Sequence, residues 1–336
     1  MRDSRRALWP LVTLLLIMFV DSLVSNSFFN IRVIEDAKYG NHFYGSLIDI
    51  LKNAAPIVLL ATGMSLVIAT QGIDLSVGAV MAICGAVAAT IVGKGIESPI
   101  PVPLVILISI GVGALCGLWN GFLVAFLEIQ PIVATLILMV AGRGIAQMIT
   151  KATIATFQNE GLSFIGVGYI FGLPVAIFIA IGVVLLVYLL MRRTALGMMI
   201  ESVGANSRAS YYVGINARVI KLSVYVISGI CAAIAGLIVT ANIRGADANN
   251  AGLYYELDAI LAVVIGGTAL SGGRFYLGLS AIGVLIIQAM NTGILTSNIQ
   301  PEFNLTIKAI VVLIILFIQS ESFRTFVGHR FRRTSS

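Results

Sequence analysis

Charge is scarce in this chain: only 11% of its 336 residues are Asp, Glu, Lys or Arg, against about 25% in soluble domains. A water-solvated surface cannot be assembled from so few. Aromatic residues stand at 8%, and no polar segment between the apolar runs is long enough for a soluble catalytic or nucleotide-binding domain. Cys84, Cys116 and Cys231 lie in apolar stretches without CxxC spacing, which excludes a disulfide framework or a zinc site and leaves them as small packing residues. The two histidines, His42 in a polar segment and His329 in the basic tail, are too few for a proton relay or a metal centre. No HExxH occurs, nor a GxSxG followed by a suitable histidine, so an intramembrane enzyme would lack both metal and nucleophile. The nearest approach to a Walker A site, Val92-Gly93-Lys94-Gly95, lacks the earlier glycine and the following hydroxyl residue. No cofactor is expected, and any energy for work must come from another subunit or an ion gradient.

What the chain has is apolar length. Hydrophobic residues make up 59% of it, segregated into runs at 8–24, 54–70, 76–92, 103–126, 132–150, 172–190, 222–241, 257–272, 275–294 and 305–320. At roughly 20 residues per crossing these predict an all-α polytopic membrane protein of about ten transmembrane helices, forming one membrane-spanning domain over 1–336. Arg2, Arg5 and Arg6 precede the first run as in a signal peptide, but that run reaches Val24 without a small-residue cleavage site and reads as an uncleaved span. The net charge of +6 is dispersed in short clusters between runs, a membrane pattern rather than a nucleic-acid face. With the N-terminus inside, 13 basic residues fall in inner segments, among them Arg192, Arg193, Arg208, Arg218 and Lys221, and six in outer ones. This bias predicts both termini, the 191–221 loop and the basic tail at 321–336 to be cytoplasmic.

Two breaks interrupt the runs. TQGIDLSVG at 70–78 and GGTALSGG at 266–273 place glycines around polar residues, so broken or re-entrant helices are expected near 70–78 and 266–274. Irregular backbone at membrane depth persists only inside protein or beside water. For 54–92 two readings stand: two full crossings, or a hairpin that enters and leaves from outside. Asp74 can cap the next helix through Leu75, Ser76 and Val77, or hold a broken helix beside a transport path. Arg143, a full charge within its run, either pairs to fix helix packing or serves the path. Lys308 reads as a snorkelling lysine, and Glu256 and Asp258 sit at the outer end of their span. The 191–221 loop is longer than a connector needs. Its glycines and apolar residues predict short helices beneath the membrane, either a docking surface or an amphipathic segment on anionic lipid.

Five stretches, in order, carry a resemblance: GIDLSVGAV at 72–80, LWNGFLVA at 118–125, PIVATLILMVAGRG at 131–144, LGMMIESVGANSRASYYVGIN at 196–216 and ELDAILAVVIGGTALSGG at 256–273. Together they resemble bacterial ABC sugar-importer permeases of the ribose, arabinose and xylose type, over about residues 47 to 320. The segment IRGADANNAGLYYELDAI at 243–260 and the opening MFVDSLVSNSFFN are most similar to the galactofuranose branch. The resemblance implies a non-enzymatic permease of the bacterial inner membrane that imports a monosaccharide. Its implied partners are a second permease subunit, identical or paralogous, separate ATPase subunits and a periplasmic sugar-binding protein. It further implies that 196–216 couples to the ATPase, with Gly197, Gly204, Asn206, Gly214 and Asn216 at matching positions.

A sugar sheds water to cross, so its path needs hydroxyl, amide and aromatic groups that exchange hydrogen bonds weakly. Beside Asp74, Arg143 and Asp258, the candidates are Trp119 and Asn120, Asn249, Asn250, Tyr254 and Tyr255 at the outer mouth of the eighth span, and Asn291. Each also reads as an interfacial aromatic or a packing amide. Another pentose or hexose such as ribose is the alternative cargo. An ion-coupled secondary transporter is the alternative mechanism, though Asp74 and Asp258 are few acids for one.

Overall fold

The structure, a computed structural model, describes residues 2–24, 28–36, 40–93, 95, 100–297 and 303–319; the basic tail at 321–336 lies outside them. Ten helices fall on the ten apolar runs: α1 (Arg2–Val24), α2 (Ser46–Ala69), α3 (Val77–Val92), α4 (Val102–Ala125), α5 (Pro131–Thr150), α7 (Val175–Arg193), α10 (Ala217–Ile243), α11 (Tyr255–Ile265), α12 (Leu277–Thr296) and α13 (Asn304–Gln319). Three short ones stand between them: α6 (Glu160–Val167), α8 (Leu196–Ala205) and α9 (Ser207–Tyr212). Six helices, α2, α4, α5, α7, α10 and α12, are long and apolar enough to cross a membrane. The chain is therefore a multi-pass membrane protein. The all-helical expectation needs one amendment, because three antiparallel two-stranded pairs occur. They are β1 (Arg32–Asp36) with β2 (Gly40–Tyr44), β3 (Ala155–Thr156) with β6 (Gly245–Ala246), and β4 (Tyr169–Ile170) with β5 (Leu173–Pro174).

The 27-residue α10, about 40 Å long at 1.5 Å per residue, is the hub on which α2, α3 and α4 pack. In lipid the packing drive is close backbone approach, which favours small residues, and α4 carries Gly113, Gly117 and Gly121 at four-residue spacing on one face. A Cβ on Gly117 would strike the Tyr225 carbonyl, and one on Gly121 would come within 2.9 Å of Leu222. Glycine at these positions is a packing requirement.

Contacts along α10 fix the course of the chain. Along α2, Gly63 lies against Ser228 and Ala69 lies against Gly204, ahead of the start of α10, whereas along α3 Met81 and Gly85 lie against Gly236 and Thr240. Thus α2 runs antiparallel to α10 and α3 runs parallel to it, and the two are joined by the 70–76 turn. The eighth run ends early: α11 has 11 residues, about 16 Å, and the chain leaves helical geometry at Gly266 and Gly267 instead of continuing to 272. The expected interruption near 266–274 is present.

Candidate functional site

The 70–78 break, the 191–221 loop and the 266–274 break meet at one end of the bundle. The Gln71 Nε2 donates to the Gly204 carbonyl at 2.9 Å, and the Gly273 N–H donates to the Ala69 carbonyl at 2.9 Å. A Cβ on Gly204 would run into the Ala69 carbonyl oxygen and lie 2.7 Å from the Gly273 nitrogen. A cleft of about 450 Å³ opens beside this junction, lined by Gly204, Ala205, Gly267, Ser271, Gly273 and Arg274.

The five loop residues serve the loop's shape in three ways. Asn206 caps α9 by accepting the Ala209 N–H at 3.0 Å, and Asn216 caps α10 by accepting the N–H groups of Arg218 and Val219 at 3.1 and 3.4 Å. Such caps contribute about 1 kcal/mol each. Gly214 has φ 86°, left-handed backbone that a β-branched residue resists. Gly197 lets α8 turn back against the Met191 carbonyl, and Gly204 admits the Ala69 carbonyl. Beyond them Tyr211, Tyr212 and Val213 stand 73%, 87% and 76% exposed. The two tyrosines border a cleft of about 1320 Å³ whose polar wall includes Glu128, Arg208, Arg218 and Lys221.

Asp74 is buried, and donors surround it. Its Oδ1 accepts the Ser76 N–H at 3.0 Å and the Ser76 hydroxyl at 2.6 Å, and its Oδ2 accepts the Ser228 hydroxyl at 2.9 Å. Asn120 extends the network, donating from Nδ2 to the Ser76 Oγ at 2.7 Å, and the Leu75 N–H donates to the Thr135 hydroxyl at 3.2 Å. The capping expectation holds at one position: the carboxylate takes the N–H of Ser76, the residue that opens α3, and none from further into the helix. It shapes the turn and ties it to α10, while Asn120 and Thr135 tie it to α4 and α5. No basic side chain pairs with it among the described residues. Asp74→Asn is therefore expected to retain transport, because an amide oxygen can still accept from serine. Asp74→Ala leaves several buried donors unpaired at about 1–3 kcal/mol each, and a marked loss of thermal stability in the purified variant checks this.

A second polar cluster forms where the segment after α10 folds back on α3 and α5. Arg143 donates from its Nη1 to the carbonyls of Ala248 and Ala251 at 3.1 and 2.5 Å, and the carboxylates of Glu256 and Asp247 lie in its field. Backbone carbonyls, rather than a direct ion pair, meet this charge. Gln147 donates to the Asn249 Oδ1 at 2.7 Å. The Asp247 carboxylate accepts the N–H groups of Asn249 and Asn250 and, at 2.8 Å, the Asn250 Nδ2. Those bonds, that from the Asn250 side chain foremost, hold Asp247 below the usual carboxylate range. A Cβ on Gly78 would strike the Gly252 carbonyl and reach 2.5 Å from the Glu256 Oε2, so the start of α3 abuts this segment. Asn249, Asn250 and Tyr254 are exposed here, Tyr255 is half-buried, and Asp258 is buried.

The remaining candidates are dispersed. Trp119 is 52% exposed whereas the Asn120 that follows it on α4 is buried, so the adjacent pair serves two faces. Asn291 donates within α12, to the Gln288 Oε1 at 3.4 Å. Lys308 does not snorkel: its ammonium pairs with the Asp258 carboxylate, with side chains 13% and 8% exposed. Sequence reasoning treated those two charges separately. It also passed over Ser228, Gln147 and Asp247, polar residues within or beside apolar runs that become informative only once the helices are placed.

A hub of glycine-packed helices, two interrupted spans meeting a looped-out helical segment, and a polar cluster beside the interruptions define a transport permease. The chain belongs to the family described as the permease component of branched-chain amino acid transport systems, whose model matches residues 46–316. It is 57% identical over 325 residues to the galactofuranose transporter permease of Escherichia coli K12, covering 95% of this chain and 93% of that one. It is 42% identical to the fructose import permease of Bifidobacterium longum, covering 94% and 88%, and 34% identical to the ribose import permease of E. coli K12, covering 93% and 92%. No solved structure matches the chain.

Proposed function

We propose that this chain is the membrane permease subunit of an ATP-driven importer that carries a monosaccharide, galactofuranose, across the bacterial inner membrane. The observation that carries the cargo assignment is the 57% identity to the galactofuranose permease along nearly the full length of both chains. The family is described by branched-chain amino acid transport, but the three relatives above are permeases for galactofuranose, fructose and ribose. The polar cluster of Gln147, Asn249, Asn250 and Tyr254 supplies amides and a phenol suited to sugar hydroxyls. A second permease subunit, identical or paralogous, faces this cluster across the path. A periplasmic binding protein delivers the sugar, and separate ATPase subunits dock on the exposed Tyr211, Tyr212 and Val213 and the cleft behind them.

The ten apolar runs carry the chain across the bilayer, the eighth as α11 together with the irregular segment that follows it, with both termini and the 191–221 loop in the cytoplasm. The length of α2, 24 residues or about 36 Å, is enough for a full crossing and favours two crossings over a hairpin that enters and leaves from outside. With the turn between them touching Gly204, that loop and both breaks share the cytoplasmic end. Cysteines introduced singly at Asn206 and Lys151, both exposed, give the test. An impermeant thiol reagent outside intact cells labels position 151 and spares 206, and labelling of 206 overturns the orientation.

Deletion of the gene should abolish uptake of labelled galactofuranose and spare ribose. In vesicles, uptake should follow ATP and survive ionophores that collapse ion gradients. Loss of ribose uptake with galactofuranose uptake intact would reassign the cargo, and collapse by ionophores would reassign the energy source.

A further inference from the structure

On the outside of the helical body α2, α7 and α12 bound an almost wholly apolar groove of about 420 Å³, with Ala54 and Val58 on one wall, Ile181 and Leu185 on the second, and Ala281 and Leu285 on the third. Its lining on α7 runs from Ile177 to Tyr188. There it continues into a second depression of about 340 Å³ through the shared residues Tyr188, Leu277 and Gly278, and this depression ends at Arg192. From Ile177 to Arg192 the path rises about 22 Å at 1.5 Å per residue, more than the ~15 Å depth of one leaflet's hydrocarbon. The Arg192 guanidinium lies 5.9 Å from the centre of the Tyr188 ring. No carboxylate pairs with Arg192 among the described residues, and Arg193 beside it is exposed.

We infer that this groove holds an acyl chain of an anionic phospholipid whose headgroup rests on Arg192. The apolar walls match a hydrocarbon tail and would be indifferent to its headgroup. The cation at the mouth supplies the preference, as basic pockets between membrane helices do for anionic headgroups. Tyr188 lies where tail meets headgroup, the depth at which an amphipathic ring is favoured. Because α2 and α12 flank the junction with Gly204, a lipid seated between them and α7 would brace the helices that lead into it. The inference rests on the membrane reading of the chain and not on its cargo, so failure of the sugar assignment leaves it standing.

The test uses the purified full-length permease, incubated with equal amounts of phosphatidylglycerol and phosphatidylcholine of identical chains and analysed by native mass spectrometry. Phosphatidylglycerol should be retained about fivefold over phosphatidylcholine, the ratio corresponding to roughly 1 kcal/mol for one basic residue at a lipid surface. Arg192→Gln should erase that preference, and Ala281→Trp, which fills the groove, should lower retention of both lipids. Should the tryptophan variant fail to insert, Gly278→Leu closes the same groove from an exposed position. A photoreactive side chain at Ile181 should capture lipid in native membranes. Equal retention by the unaltered protein, retention unchanged on filling the groove, or capture of a protein instead of lipid would each overturn the inference.

Discussion

Gly204→Val should abolish sugar uptake in cells while the variant still inserts in the membrane, and it should do so more severely than Gly214→Val. At Gly204 the obstacle is space. Any Cβ there enters the Ala69 carbonyl at the end of α2 and crowds the Gly273 nitrogen across the 266–276 segment. Both neighbours are backbone, so neither can rotate aside, and overpacking of this kind costs roughly 1–3 kcal/mol and displaces whole segments. The displaced contacts, Gln71 to Gly204 and Gly273 to Ala69, join the loop to both breaks, and under the proposed coupling role they are the route by which motion of the 196–216 loop would reach them. At Gly214 nothing lies within 4 Å of a Cβ, and the obstacle is the φ of 86°. Asparagine tolerates that region, so Gly214→Asn should keep most of the uptake that Gly214→Val loses. Uptake of labelled sugar, normalised to the variant recovered in membranes, measures the order. Equal uptake by Gly204→Val and the parent would remove the junction from the coupling path.

The helices were legible because lipid imposes apolar runs, and every run expected to span contains a helix. Their ends were less so. α2 begins at Ser46, ahead of the run read from residue 54, because Asp49 and Lys52 interrupt the hydropathy without interrupting the helix. Conversely α11 stops at Ile265 although apolar residues continue, because Gly266 and Gly267 release the chain where surrounding protein satisfies its backbone. The β1–β2 hairpin carried no strong apolar alternation and read as a polar loop. At the candidate site the loop glycines and asparagines stood out as a group by resemblance. Their reasons did not, since a cap, a left-handed turn and a close approach all appear in sequence as a small or polar residue. The junction itself joins positions 69, 71, 204 and 273, and no local pattern announces a contact of that span.

The ion pair of Lys308 with Asp258 was also hidden by separation, and it should dominate the stability of the α11–α13 contact. Both side chains are almost fully enclosed, so removing one partner leaves a charge in a medium that cannot solvate it, at about 3–5 kcal/mol. The two single variants should differ. In Asp258→Asn the orphaned lysine has a long stem and can reach toward the membrane boundary, whereas in Lys308→Met the short aspartate has nowhere to go. Lys308→Met should therefore show the larger fall in melting temperature and in recovered, monodisperse protein. The double variant Asp258→Asn/Lys308→Met buries no charge and should regain most of the loss, giving a coupling energy well above the roughly 0.3–0.5 kcal/mol scatter of independent sites. Thermal unfolding of the four proteins in one detergent completes the cycle. A double variant that melts at the sum of the two single losses would show the charges to be independent, and α13 would then be held by its apolar face alone.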